Sequence, residues 1–202
     1  MENFLIFLFS VAVISLSGVL SPGPVLGVTI AKGYSEKNAG VWISLGHGLL
    51  EFPLMMLLFF GLAPIFTNPT FRMAIGLVGG VLLIYLGYGM LRAMGKASEN
   101  SMDLPYSSFT AGAITTGAAP YFWLWWATIG LNLITRAAAY GLAGFVIFMI
   151  VHWLCDLASY TVISRTINKS KNIWSENVHK AVFGGFGLML AVFGAWFIAT
   201  AF

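Results

Sequence analysis

Long apolar runs alternate with short polar segments along the whole chain. A bilayer core about 30 Å thick needs roughly 20 apolar residues per helix, so each long run predicts one membrane-spanning helix. The pattern predicts six such helices, at residues 4–31, 39–63, 71–94, 107–134, 140–164 and 178–201. The polar loops between them include residues 32–38, 95–106 and 165–177, none of which is long enough for a soluble domain. This pattern is typical of an all-α membrane protein.

Proline interrupts the first and the fourth apolar run. The residues at these interruptions are Ser21, Pro22, Gly23 and Pro24 in the first run and Gly117 and Pro120 in the fourth. Proline lacks an amide hydrogen and glycine is a weak helix former, so continuous helix is disfavoured there. Non-helical backbone at membrane depth is tolerated only against protein or a water-filled cavity. We expect helices one and four to be broken and to form a binding site, with a plain packing kink as the alternative.

A histidine followed four residues later by a carboxylic acid occurs once in each half of the chain. The pairs are His47 with Glu51 and His152 with Asp156. Each half thus has a broken helix, a helix with a His–acid pair and a third apolar helix. The sequence predicts a single transmembrane domain over residues 1–202, with repeat one at 1–95, a cytoplasmic linker at 96–106 and repeat two at 107–202.

Composition and charge agree with this topology. Hydrophobic residues make up 59% of the chain and charged residues 8%, against roughly 25% charged in soluble domains. Eight of the ten basic residues fall on one side of the predicted topology, and basic loops stay in the cytoplasm. Both termini are therefore predicted outside the plasma membrane, and three-helix halves make the repeats inverted. The eight are Lys32, Lys37, Arg92, Lys96, Arg165, Lys169, Lys171 and Lys180; the other two are Arg72 and Arg136.

The two acids are the strongest functional candidates. A charged side chain at mid-bilayer costs about 2.5–3.5 kcal/mol on insertion scales, and such groups usually face a bundle interior or a wet cavity. Glu51 and Asp156 could bind a cation, a proton or an amino group, and His47 and His152 share their helix faces and could relay protons. The structural alternative is a protonated acid and a histidine satisfied by neighbouring helices. These four residues form the predicted substrate- or ion-binding site.

A divalent metal site is the second interpretation of the same residues. Imidazole and carboxylate suit Zn, Ni or Co, so His47, Glu51, His152 and Asp156 could supply four ligands. The motifs HExxH, GxSxG and CxxC and the Walker lysine are missing, so we expect neither an enzyme nor a cofactor. Cys155 is the only cysteine, and thiol–electron transfer needs a pair. The charge of +3 is scattered and does not indicate nucleic acid.

Two further sets of residues leave alternatives open. Trp123, Trp125 and Trp126 follow the second break and serve either as packing bulk or as a wall facing a substrate. Small residues recur every fourth position in the second and third helices, as expected for helix contacts. These contacts can lie within one chain or between chains, so a homo-oligomer stays open.

Residues 15–24 contain a Ser-Pro-Gly-Pro motif, residues 77–92 contain Tyr-Leu-Gly and end at an arginine, and residues 183–194 are rich in glycine. These segments resemble the SPGP signature, the third helix and the closing helix of the LysE/RhtB family of amino-acid exporters, within the wider LysE superfamily. Asp156 falls where the family often has an aspartate. The chain departs from the family at residues 119–121, where Ala-Pro-Tyr stands in place of Asn-Pro-Lys. The resemblance implies export of amino acids or related small metabolites across the lipid bilayer, coupled to a proton or other ion by antiport.

Overall fold

The computed structural model describes residues 3–64, 68–94 and 106–201, without the side chain of residue 72. Every element in these residues is helical. In chain order the helices are α1 (Phe4–Val19), α2 (Pro24–Ser35), α3 (Ala39–Phe59), α4 (Pro69–Ala93), α5 (Ser108–Ala118), α6 (Pro120–Trp125), α7 (Leu131–Ala138), α8 (Gly141–Ser170) and α9 (Glu176–Ala199). A π-helical turn (Trp126–Gly130) joins α6 to α7, and a 3₁₀ turn (Lys171–Ile173) follows α8. Apart from Tyr106, the predicted linker lies outside the described residues.

Several of these helices have the length and hydropathy of membrane spans. α3, α4, α8 and α9 each pass this test, and α1 with α2 form a fifth candidate although they bend by 71°. The fourth predicted span consists of α5, α6, the π-helical turn and α7, and each piece is shorter than the roughly 20 residues that a crossing needs. The predicted class, an all-helical membrane protein, is confirmed, and a sixth crossing stays a prediction.

The first break separates α1 from α2 at residues 20–23. Gly23 has extended backbone (φ −165°, ψ 178°), and Pro24 occupies the first turn of α2, where its missing amide has no helical partner to lose. The Ser21 hydroxyl donates to the Gly18 carbonyl at 2.6 Å and so satisfies a carbonyl at the end of α1. At this break the end of α1 is therefore capped, and α2 begins as a separate helix.

The second break is shorter. α5 ends at Ala118, and Ala119 is extended (φ −85°, ψ 103°) because the following proline disfavours helical backbone at that position. Pro120 then begins α6. Within the same predicted span the helix widens into the π-helical turn, a feature that single-residue hydropathy does not signal.

The helix α8 is longer than its predicted span. The sequence prediction of a loop at 165–177 is wrong for its first part, because the chain stays helical to Ser170 and then forms the 3₁₀ turn. Residues 165–173 contain neither glycine nor proline, so polarity alone does not end the helix. Contacts also hold this extension, since the Asn168 amide donates to the Gly33 carbonyl at 3.1 Å.

Small residues let the helix backbones approach closely. A methyl group added at Gly80 of α4 would lie 2.6 Å from the Gly194 carbonyl oxygen of α9. A methyl group at Gly40 of α3 would lie 1.9 Å from the Tyr160 carbonyl oxygen of α8. The glycines at these predicted contact positions are thus used within the chain.

The two ends of the helix bundle differ in chemistry. The ends of α2, α4 and α8 meet the start of α9 at one end, which we call the basic end; there Ser164 donates to the Lys37 carbonyl, and His179 lies 3.4 Å from the Ala93 carbonyl oxygen. At the other end of α8, Phe7 stacks on Tyr140 and the Arg136 guanidinium lies 5.1 Å from the Phe7 ring centroid. The described members of the eight basic residues predicted on one side lie on or next to these helix ends. Arg136, predicted on the other side, lies at the opposite end of the bundle.

Candidate functional site

The two His–acid pairs come together where α3 crosses α8. Glu51 Oε1 lies 2.9 Å from His47 Nε2 and 3.1 Å from His152 Nε2. Asp156 faces both imidazoles at longer range, with Oδ1 4.0 Å from His47 Nε2 and Oδ2 3.8 Å from His152 Nε2. The four residues predicted from the separate halves thus form a single cluster, with Glu51 at its centre.

The cluster is buried among tightly packed helices. The exposed fraction is 1% for Glu51, 2% for Asp156, 4% for His152 and 6% for His47. Each pair lies at i and i+4 on its helix, which directs both side chains to one face. The approach of α3 to α8 depends on small residues, because a methyl group at Gly48 would lie 2.7 Å from the Trp153 indole nitrogen.

Hydroxyl groups from the two broken helices hold the other nitrogen of each imidazole. Ser15 Oγ of α1 lies 2.6 Å from His152 Nδ1, and Thr116 Oγ1 of α5 lies 2.7 Å from His47 Nδ1. Thr116 Oγ1 is also 2.7 Å from the Gly112 carbonyl oxygen. Sequence reasoning did not single out these hydroxyls as partners, although Thr116 directly precedes the glycine of the second break.

Aromatic rings form the wall around the cluster. The ring centroids of Trp125 and Trp126 lie 5.4 and 5.1 Å from that of His152, and Phe122 and Tyr160 flank His47 at 5.6 and 6.1 Å. Tyr160 was not predicted, but it lies four residues after Asp156 on the same helix face.

The three tryptophans after the second break therefore differ in position. Trp125 and Trp126 line the cavity beside the cluster. Trp123 instead donates from its indole nitrogen to the Gly117 carbonyl at 2.9 Å and packs edge-on against Phe71. Of the two interpretations offered for these tryptophans, a wall facing the cavity describes Trp125 and Trp126, and packing describes Trp123.

A cavity of about 590 Å³, including its open mouth, connects the cluster with the first break. Small-molecule sites commonly have mostly apolar linings with a few polar groups. Of the predicted break residues, Ser21, Gly23 and Pro24 line this cavity. Pro22 is exposed, and the second break reaches the cavity through Ala119 rather than through the predicted Gly117 and Pro120.

Two carboxylate oxygens in the cluster have no hydrogen-bond partner among the described residues. They are Glu51 Oε2 and Asp156 Oδ2, both fully buried. An unsatisfied buried carboxylate oxygen is costly, and a ligand donor is one way to satisfy it. The site therefore has acceptor capacity that the protein itself does not use.

The donor atoms of the cluster can also be compared with those of a metal site. Donor atoms of His47, Glu51 and Asp156 lie within 4.8 Å of one another, and their types suit a divalent transition metal. However, both imidazole Nε2 atoms are at hydrogen-bond distance from one oxygen of Glu51. The observed arrangement is a hydrogen-bond network, in which these nitrogens already have a partner.

Comparison with known proteins identifies the family. The family model for the LysE type translocator matches residues 16–200. The chain belongs to this family. The resemblance drawn from its motifs is thus confirmed, and the LysE-type chain is a membrane transporter and not an enzyme, as predicted.

Two curated relatives of this LysE-type chain are named for their function. The threonine efflux protein of Salmonella typhi is 25% identical over 206 residues, which cover 93% of the chain and 98% of the relative. The threonine efflux protein of Salmonella typhimurium is 25% identical over 202 residues, which cover 91% and 97%. No solved structure gives a significant match.

Proposed function

We propose that this LysE-type translocator exports amino acids or related small metabolites by secondary transport, coupled to a proton or another ion. The observation that carries the proposal is the single buried cluster formed by Glu51, Asp156, His47 and His152 beside a cavity at a helix break. Two relatives of the chain are threonine efflux proteins, and the similarity covers nearly their whole length. Small neutral amino acids are therefore the first substrates to test.

An amino acid fits the chemistry of this cavity at both of its charged ends. The unsatisfied oxygens Glu51 Oε2 and Asp156 Oδ2 can accept hydrogen bonds from an ammonium group. Val25 and Leu26, in the first turn of α2, line the same cavity. Amides in the first turn of a helix have no intrahelical partner and carry partial positive charge, which favours a carboxylate.

Transport in this proposal proceeds by alternating access between two inverted repeats. Repeat one covers residues 1–95 and repeat two covers 107–202, with the cytoplasmic linker 96–106 between them. Six crossings of the plasma membrane leave both termini outside, as the excess of basic residues on one side predicts. The broken helices and the cluster draw residues from both proposed repeats, and a substrate site between repeats is expected in such transporters.

The test is uptake of radiolabelled threonine and a panel of other amino acids into inside-out membrane vesicles. Uptake that depends on an imposed pH gradient is expected for the wild type. Glu51→Gln should abolish the gradient dependence, and Asp156→Asn should abolish either that dependence or uptake itself, because both remove an ionisable group from the cluster. Glu176→Gln is the matched control, since the Glu176 side chain is exposed on α9 and pairs with Lys180. Wild-type uptake by both cluster variants would overturn the assignment of the site.

A further inference from the structure

Each imidazole of the cluster is held by a hydroxyl group from the opposite half of the chain. Ser15, in the first half, contacts His152 of the second, and Thr116, in the second half, contacts His47 of the first. Both hydroxyls belong to the helices that end at a break, α1 and α5. Orientation of the histidines therefore depends on how the broken helices sit against α3 and α8.

The hydroxyl of Thr116 fixes which nitrogen of His47 carries hydrogen. The Gly112 carbonyl can only accept, so at 2.7 Å the Thr116 hydroxyl must donate its single hydrogen to that oxygen. Toward His47 Nδ1, also at 2.7 Å, Thr116 can then act only as an acceptor. His47 Nδ1 consequently carries hydrogen and donates to Thr116.

With this tautomer, the contact between His47 Nε2 and Glu51 Oε1 needs one more proton. In a neutral His47 with hydrogen on Nδ1, Nε2 is a bare acceptor. It lies 2.9 Å from Glu51 Oε1, and two acceptors at that distance repel. A hydrogen must therefore lie between them, either on Nε2 of an imidazolium or on the Glu51 carboxyl group.

The second histidine does not require this extra proton. Among the described residues, the Ser15 hydroxyl has His152 Nδ1 as its hydrogen-bond partner, so it is able to donate to that nitrogen. His152 can then stay neutral and donate from Nε2 to Glu51 Oε1 at 3.1 Å. The two histidines thus have unequal roles, because the Thr116 hydroxyl donates to a carbonyl of its own helix, whereas the Ser15 hydroxyl is able to donate to His152.

We propose that Thr116 is a positioning residue that makes His47 and Glu51 the proton-carrying pair. Asp156, whose Oδ2 has no hydrogen-bond partner among the described residues, then receives the ammonium group of the substrate. The proposal rests on the proposed function and adds a division of roles within the site. A shift of α5 away from α3 breaks the contact between Thr116 and His47. His47 can then take the tautomer with hydrogen on Nε2, and the extra proton is released.

The charged and titratable groups around the two imidazoles come from two helices. They are Glu51 on α3 and Asp156 and Tyr160 on α8, besides the histidines themselves. Among the described residues, α1 and α5 contribute hydroxyl groups and α6 contributes aromatic rings to the same surroundings. The pH dependence of the site should therefore reflect this cluster alone.

The transport experiment compares Thr116→Val with Thr116→Ser in proteoliposomes that contain a pH-sensitive dye. Threonine-evoked proton movement should be lost in Thr116→Val, while threonine exchange without a gradient persists. Thr116→Ser keeps the hydroxyl and should keep the proton movement. Thr115→Val is the matched control, because the buried Thr115 hydroxyl bonds only to carbonyls of α5 among the described residues. An unchanged proton-to-threonine ratio and pH profile in Thr116→Val would overturn the proposal.

A spectroscopic measurement decides the question independently of transport and of the folding of any Thr116 variant. The chain has three histidines, so the ¹⁵N spectrum of histidine-labelled wild-type protein can be assigned with single substitutions. His47 should show hydrogen on Nδ1, and a neutral His47 with hydrogen only on Nε2 would overturn the proposal. If the wild type moves no amino acid at all, the proposed function fails; if it couples normally but His47 has the other tautomer, only this inference fails.

Discussion

Glu51 on α3 and His152 on α8 lie 3.1 Å apart, oxygen to nitrogen, although 101 positions separate them in the sequence. This contact joins the two halves of the chain inside the buried cluster. Because Glu51 Oε1 also contacts His47, a single carboxylate oxygen serves both imidazoles. The stability of the packed helices and the properties of the site should therefore be linked through this atom.

The first prediction concerns the energetic coupling between these residues. His152→Ala should lower the free energy of unfolding by about 3–5 kcal/mol, because it leaves a buried acid with one partner fewer. The double variant with His152→Ala and Glu51→Gln should lose less free energy of unfolding than the sum of the losses in the two single variants. Thermal unfolding in detergent measures all four proteins of the cycle. As a control, the effects of His152→Ala and of Glu176→Gln, on the exposed side of α9, on the free energy of unfolding should add within about 0.5 kcal/mol. Additive effects for the His152–Glu51 pair as well would contradict the prediction.

A second prediction concerns the contact between α4 and α9. Gly80→Ala should destabilise the protein by about 1–3 kcal/mol, because the new methyl group would lie 2.6 Å from both the Gly194 oxygen and an Ile198 side-chain carbon. Gly185→Ala is the matched control in the same helix pair, since its added methyl group has no atom within 4 Å. That control should stabilise the helix by up to about 1 kcal/mol. Equal melting temperatures for the two variants would show that the close approach is not important.

The basic end provides a third prediction, about opening during transport. There the Ser108 hydroxyl, at the start of α5, donates to the Glu36 carboxylate that follows α2. In the alternating-access cycle proposed above, this end must separate. In a Cys155→Ala background, a short bifunctional thiol reagent that joins Glu36→Cys to Ser108→Cys should therefore stop threonine transport.

The controls for this cross-link are the two single-cysteine variants treated in the same way, which should remain active. Cleavage of a reducible reagent should restore transport by the double variant. Full transport by protein that mass spectrometry shows to be cross-linked would mean that the basic end need not open.

The fourth prediction separates amino-acid export from metal transport. Because both histidine Nε2 atoms are occupied by Glu51, we expect no micromolar Zn²⁺ binding that depends on them. Calorimetry in detergent should give the same weak signal for the wild type and for His47→Ala combined with His152→Ala. Tight binding in the wild type that disappears in the double variant would favour the divalent-metal interpretation.

Much of the site could be predicted because it follows from local spacing. A histidine and an acid four residues apart must share a helix face, and an acid in an apolar run must avoid lipid, so His47, Glu51, His152 and Asp156 were identifiable together. Proline likewise marked the two helix breaks, after which Pro24 and Pro120 begin new helices.

The remaining features depend on packing between helices. Ser15 and Thr116 become partners of the histidines only through the positions of α1 and α5 against α8 and α3. Serine and threonine in a helix commonly bond to a carbonyl of their own preceding turn, so their type alone does not reveal a distant partner. The extension of α8 past residue 165 was missed for a related reason, since hydropathy reports the edge of the membrane and not the end of a helix.

The π-helical turn at Trp126–Gly130 begins at one of the two indoles beside His152. A π-helical turn holds more residues than an α-helical turn, and each residue of an α-helix advances by about 100° around the axis. Conversion of this turn to regular α-helix would therefore change the relative directions of the helix faces before and after it, and with them the fit of the cavity wall to the cluster.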